Sequence, residues 1–378
     1  MAPRPPIRPS LRILRSPPRR WRLLHFGSWG RPAERKGVTS RMVKRREEKM
    51  PMDRNLAMDL VRVTEAAAMA AAPFAGRRKK EAADQAAVDA MRFALSTVPM
   101  DGEVVIGEGE KDEAPMLYIG ERIGTGSPPL VDIAVDPIDG TTMLSVGRPG
   151  SVSVVALADR GSLFTSHLAY MDKIVVGPQA RGVIDLNAPV PENLHAIAKA
   201  QGRQVRELTV IALDRPRNAA MVEDVEKVGA KLRLITDGDV TAGLLATLVQ
   251  DRGVDVLMGI GGTPEGVITA CAVKCLGGDM QGRLWAKDEK DRDKGHAEGH
   301  DLDKVLALDD LCSGENVFVA VTGITDGEVV RGVRYFPGGA HTHSLAMRSV
   351  SGTVRWVEAR HNFGRLRKLA GMRYEGVV

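Results

Sequence analysis

Two carboxylates three residues apart at the end of an apolar strand can make a divalent-cation site, and Asp136-Pro137-Ile138-Asp139-Gly140-Thr141-Thr142 has that form. The run Val131 to Val135 delivers the chain to Asp136; Pro137 cannot continue a hydrogen-bonded ladder, and Gly140 lets backbone approach a ligand closely. Hard oxygen donors suit Mg²⁺ or Mn²⁺, which keep waters and take substrate phosphate beside one or two carboxylates. The same residues also read as an Asp-Pro turn followed by an Asx turn at Asp139-Gly140, with no ligand at all.

Three more acidic positions bear on that choice. The short strand Val104-Val105-Ile106 runs into Gly107-Glu108-Gly109-Glu110, where the glycines leave room for an ion, although a charged run of this kind also describes a solvated loop. Residues Glu81 to Val98 have helical composition, with Val88, Met91 and Leu95 on one face. Asp84 shares that face, so it must cap the helix start, be hydrogen-bonded or hold a cation. Far downstream, Val254 to Ile260 reads as a buried strand entering the Gly261-Gly262 turn, after which Thr263-Pro264-Glu265 opens a helix with a capping hydroxyl, a first-turn proline and an acid that offsets the dipole. The Gly-x-Gly-Gly spacing is not the dinucleotide fingerprint.

The elements that must carry these groups follow from pattern and composition. With 378 residues, 43% hydrophobic and 27% charged, the chain is ordinary for a globular protein with a large core, and 4% aromatic content makes that core aliphatic. Strand-like runs at 208–213, 231–235 and 254–260 alternate with helical stretches at about 218–229, 240–250 and 265–276, which predicts a layered α/β architecture. Lys287 to His300 lacks apolar periodicity and reads as an exposed loop, its His296 and His300 being solvated there; a strand resumes near 316–323. Cys271 and Cys275 fall in a helix and Cys312 is isolated, so the cysteines are expected to be small buried thiols in a reducing compartment. There is no apolar run of about eighteen residues to span a membrane. No Ser/His/Asp order or reactive-cysteine motif offers a competing chemistry.

Residues 1–49 carry 15 Lys and Arg against 3 acids, a net of +12 that leaves the rest of the chain at −7. An arginine-rich, acid-poor leader reads as a transit peptide, or as an arm for nucleic acid or an anionic membrane. The expectation is an upstream start site, with 1–51 a disordered extension and the natural chain beginning at Met50 or Met52.

From about Met52 onward the sequence resembles the class II fructose-1,6-bisphosphatase family, within the lithium-sensitive sugar and inositol phosphatase superfamily. The resemblance rests on Asp-Pro-Ile-Asp-Gly-Thr at 136–141 and on the string Ile106 to Gly120, whose surround of Glu108 separates it from inositol monophosphatases. It implies a layered α/β/α/β/α fold of two stacked subdomains, divided here into a metal-site part at 52–187 and an α/β substrate-binding part at 188–378. It implies Mn²⁺ or Mg²⁺, one ion held by Asp84 and Glu108 and the other by Asp136, Asp139 and Glu265. Thr141 would position or activate the attacking water, with Asp84 and Glu110 as further catalytic groups. Substrate would meet Asp139, Gly140, Thr141, Tyr170, Arg215, Pro216, Arg217, Asp237, Gly238, Asp239 and Gly262, the arginines forking onto a phosphate and the aspartates taking sugar hydroxyls.

The implied activity is release of the 1-phosphate of fructose 1,6-bisphosphate in gluconeogenesis, with sedoheptulose 1,7-bisphosphate as a possible second substrate, by a cytoplasmic homo-oligomer without nucleic-acid or membrane partners. Two divalent ions roughly 3.5 to 4 Å apart can neutralise a phosphate dianion, lower the pKa of a water and grip the leaving oxygen. Monoester hydrolysis needs accelerations up to ~10²¹, beyond what acid and base side chains at about 10² to 10⁴ each supply. Two other readings are an inositol or nucleotide 3′-phosphate phosphatase of the same superfamily, and a nucleic-acid-binding protein acting through its basic tail.

Overall fold

A computed structural model describes residues 56–109, 117–248 and 253–370, with the side chains of 367–370 excepted. Glu110, the basic segment 1–51 and the alternative starts Met50 and Met52 lie outside the described residues.

Strands that alternate between two apolar faces set the architecture. In the first part of the chain β1 (Asp101–Ile106), β2 (Arg122–Ile123), β3 (Leu130–Asp139) and β4 (Val152–Asp159) begin one sheet. The next six strands, β5 (Tyr170–Val176), β6 (Thr209–Leu213), β7 (Lys231–Ile235), β8 (Val256–Gly262), β9 (Asp279–Trp285) and β10 (Leu306–Ala307), make a second sheet in the order β10-β9-β5-β8-β6-β7. The chain then returns through β11 (Phe318–Gly323), β12 (Arg334–Phe336), β13 (Gly339–Arg348) and β14 (Thr353–Asn362), completing an eight-stranded sheet in the order β12-β13-β11-β4-β3-β1-β2, with β14 paired to β13.

Period-two burial shows why helices cover both sheets. Along β4, Val152, Val154, Ala156 and Ala158 enter the core between the sheets, whereas Val155 and Leu157 enter the core on the outer face. That outer face is covered by α1 (Ala57–Ala71) and α2 (Lys80–Ser96), through Leu60, Val63, Met91 and Leu95. Neither helix has a side-chain cap bond at its start, so packing holds them, fully buried leucines contributing about 1.5 to 3 kcal/mol each. A short α3 (Thr141–Ser145) follows β3, and α4 (Val190–Ala200) and α5 (Ala219–Val228) cover the outer face of the second sheet through Leu194, Ile197 and Val225.

Between the sheets lie α6 (Asp239–Thr247) and α7 (Thr263–Leu276), buried on nearly every side as helices between two sheets must be, with their charges confined to Asp239, Glu265 and Lys274. They touch closely: a Cβ on Gly243 would fall 2.3 Å from Thr269 Cγ2. The layers are therefore α/β/α/β/α, as expected. Two further helices, α9 (Leu308–Leu311) and α10 (Phe363–Ala370), follow one element the sequence does not announce. Residues Glu289–Ala297 form a helix, α8, where an exposed loop was expected. Asp288 caps it by accepting a bond from Asp291 N at 3.0 Å, and its buried Gly295 lies flush against Leu168 and Leu302. Docking through a glycine leaves no apolar stripe to read. Gly261 and Gly262, expected in a turn, extend β8 instead, and α6 ends at Thr247.

Candidate active site

Parallel neighbours β1 and β3 bring Glu108 and the Asp136–Asp139 pair to one end of the first sheet. Three residues apart on a regular strand, Asp136 and Asp139 would face opposite ways. The β3–β4 register runs Asp136↔Val154 and then Asp139↔Val152, so one extra residue is accommodated on β3. This bulge lets the two carboxylates share one side of the strand. Ile138 N donates to Asp136 Oδ1 at 3.0 Å, closing an Asx turn over Pro137. Gly140 then adopts φ 90°, where a Cβ would also sit 2.7 Å from Met143 Cε, and hands the chain to α3 with Thr141 as its first residue.

Asp84 is in the fifth position of α2, too far along to cap it. The Thr141 hydroxyl donates to the Ile138 carbonyl at 3.0 Å, and it lies near enough to Asp84 to oppose the effect of burial on that carboxyl. Glu265 comes from the first turn of α7, and its Oε2 is buried with no hydrogen-bond partner among the described residues. A Cβ on Gly262 would lie 1.7 Å from that oxygen, so only glycine leaves it room.

These carboxyls disturb one another. Burial, then the charges of Asp139, Glu265 and Glu108, hold Asp136 well above the usual carboxylate range. Asp139 is pushed up to about 7 by burial, against the stabilising bonds from Thr241 N and Oγ1, both 3.1 Å. Glu108 is likewise raised, to about 7, by desolvation and then by Asp84 and Glu265, but the residue is exposed, so solvent screens much of that effect. Burial also raises Glu265 and Asp84. Among the described residues no three of these carboxylates already converge on one point. The donor chemistry nevertheless fits hard dications: an orphaned buried carboxylate oxygen, a glycine-cleared space beside it, and mutually repelling acids that a cation would relieve.

The raised values carry a stability prediction. Unfolded, Asp139 and Glu108 titrate near their ordinary 3.8 and 4.5, and folded at about 7. A raised folded pKa means their contribution is complete below the unfolded pKa and lost as pH rises through about 7. Asp139, the more deeply buried, carries the larger share. The melting temperature of cation-free protein is expected to fall from about pH 5 to about pH 8, and Mn²⁺ to raise it more at the upper end, where fewer protons must be displaced. A melting temperature that is flat with pH and indifferent to Mn²⁺ contradicts this.

The second sheet supplies the other wall. A cavity of about 420 Å³ is lined by Asp139, Tyr170, Arg215, Arg217, Asp237, Asp239, Gly262 and Glu265. Tyr170 starts β5, and Arg215 to Arg217 follow β6 with Pro216 opening a single 3₁₀ turn. Asp237 and Gly238 follow β7, and Gly262 ends β8; these are the carboxyl ends of β6, β7 and β8, where open sheets hold ligands. Arg217 lies over the Tyr170 ring, 4.4 Å from its centroid, and bonds the Ile260 carbonyl through Nε at 3.0 Å. Arg215 donates to the carbonyls of Asp214 and Thr236. Asp237 Oδ2 accepts from Thr142 N at 3.1 Å, joining the two walls. Asp239 is buried and paired with Lys173. A larger cavity of about 500 Å³, beside Phe164, His167 and Val267, is lined by none of the expected site residues.

Lys173 and Thr241 were not legible as site residues. The signal for Lys173 is there: it interrupts the buried face that Met171 and Val175 share on β5. Thr241 gives no comparable sign within α6.

The chain matches the family described as bacterial fructose-1,6-bisphosphatase, glpX-encoded, over residues 54–361. It is 44% identical over 327 residues, 83% of this chain and 97% of the relative, to fructose-1,6-bisphosphatase 1 class 2 of Escherichia coli strain K12. The same identity and coverage relate it to fructose-1,6-bisphosphatase class 2 of Shigella flexneri.

Proposed function

The chain belongs to the glpX-encoded bacterial fructose-1,6-bisphosphatase family, and from that premise we propose that its carboxylate cluster and basic cavity together hydrolyse the 1-phosphate of fructose 1,6-bisphosphate, giving fructose 6-phosphate and phosphate. The observation that carries this assignment to particular residues is the shared cavity. Asp139 and Glu265 line it together with Arg215 and Arg217, so one space offers both a cation-holding wall and guanidinium groups for a second phosphate.

Asp84 and Glu108 would hold one divalent ion, and Asp136, Asp139 and Glu265 the other, with Mn²⁺ or Mg²⁺ favoured by the all-oxygen donor set. When bound, such ions supply charge neutralisation, a more acidic water and a grip on the leaving oxygen. The chain's own residues do the rest. Thr141 Oγ1, next to the cation-holding carboxylates, can orient the attacking water. The αL turn at Gly140 and the α3 backbone can bear on the phosphate from Asp139 to Thr141. Arg217, braced on Tyr170, and Arg215 hold the distal phosphate. Asp237 and Asp239 meet sugar hydroxyls.

No described helix is long and apolar enough to cross a membrane, and we place the reaction in the cytoplasm. The inositol or nucleotide phosphatase and nucleic-acid readings are not favoured by the family match. Phosphate release from a panel of sugar bisphosphates, inositol phosphates and nucleotide 3′-phosphates, with product identified, tests the assignment. Fructose 6-phosphate as the leading product is the expected result, and preferential release from an inositol phosphate would overturn it.

A further inference from the structure

Lys173 is the one basic side chain among the described residues that is fully buried, at 1% exposure. It stands on the interior strand β5 between Met171 and Val175, on the face turned toward α6 and α7. Burying an ammonium is costly unless it is paired and fully hydrogen-bonded. Here it donates to Asp239 Oδ2 and, at 3.0 Å, to the Gly262 carbonyl. Asp239 is the first residue of α6 and Gly262 the N-cap of α7, so one charge ties the starts of both inter-sheet helices to one strand. The fit is close. A Cβ on Gly261 would come 2.1 Å from Asp239 Oδ2 and 2.9 Å from Lys173 Nζ. Glu265 follows Gly262 by three residues, and the lysine's charge is the first influence that opposes the effect of burial on it.

We propose that Lys173 is a positioning residue of the phosphatase site: it fixes Asp239 and, through the Gly262 carbonyl, the start of α7 that presents Glu265, and by occupying Asp239 it keeps that carboxylate out of the cation-holding set. The inference rests on the phosphatase reading above. It gives Asp239 and Glu265, neighbouring acids in one cavity, different tasks: one faces the sugar, the other the cation. A structural strut would matter only to folding, whereas a positioning charge alters cation affinity and turnover in molecules that are folded.

The test uses the full chain and its variants K173M, D239N and K173M/D239N, with folding checked by circular dichroism and melting temperature. Mn²⁺ affinity is measured by calorimetry without substrate, and kcat for fructose 1,6-bisphosphate at saturating Mn²⁺. K173M is expected to bind Mn²⁺ at least about fivefold more tightly, the lower bound set by water's dielectric for removing one unit charge about 8 Å from a dication, while kcat falls about 10- to 100-fold. D239N shifts Mn²⁺ affinity the opposite way. The double variant, with no unpaired buried charge, returns Mn²⁺ affinity toward that of the parent while kcat stays low. If K173M lowers only the melting temperature and keeps the parent's kcat and Mn²⁺ affinity, the proposal is wrong. Should K173M fail to fold, parental kcat in the double variant overturns it equally. If the parent does not hydrolyse fructose 1,6-bisphosphate, the phosphatase reading fails, and the Mn²⁺ shifts still decide the positioning role.

Discussion

Asp136→Asn is expected to lower kcat by more than about 10²-fold and to raise the Mn²⁺ or Mg²⁺ concentration needed for half-maximal activity. Partners that only orient a metal ligand cost about 10- to 100-fold when removed, and a carboxylate held against the ion must cost more. The amide is a weaker donor and leaves the dication less neutralised. Asp136 is also pressed by Asp139, Glu265 and Glu108, so the substitution relieves repulsion in the cation-free protein. Its melting temperature without cation is therefore expected to hold or rise while activity collapses. A variant with normal kcat and normal cation requirement would remove Asp136 from the site.

Thr141→Ala is expected to behave differently. Losing a positioned partner for proton transfer lowers kcat by about 10² to 10⁴, with Mn²⁺ affinity and KM nearly unchanged, since the hydroxyl is not among the proposed ligands. The competing role is visible in the structure: the hydroxyl also reaches the Ile138 carbonyl at 3.0 Å, a contact that would merely steady the start of α3. If Thr141→Ala keeps the parental kcat, that is its whole role, and the water's partner must be sought at Asp84 or at Glu110, which lies outside the described residues.

The residues proposed for this chemistry were legible where strand ends and glycines announce them. Val131 to Thr142 marked both carboxylates, the Asp84 face was set by Val88, Met91 and Leu95, and the strand and helix alternation gave the layers. What was hidden depends on tertiary register. Nothing in Asp-Pro-Ile-Asp states that a bulge opposite Val152–Val154 turns both acids to one side. Cys312 reads as isolated, yet its sulfur lies 3.8 Å from that of Cys271, because α9 folds back on α7. The charged stretch after Lys287 hides a helix whose docking residue is Gly295, and glycine carries no hydrophobic signal. Lys173 left a sign but no site: a charge between Met171 and Val175 demands a buried partner, and only the fold shows that Asp239 is that partner.

A cation-holding role for the carboxylates is tested most directly by phosphate release from fructose 1,6-bisphosphate by protein exhaustively treated with a chelator and then resupplied with Mn²⁺ or Mg²⁺. Chelation is expected to abolish turnover, because the five acids are proposed to act by holding the cations that make water nucleophilic and neutralise the phosphate, and either cation is expected to restore it with fructose 6-phosphate as product. Undiminished turnover after chelation would contradict a cation-holding role for Asp84, Glu108, Asp136, Asp139 and Glu265.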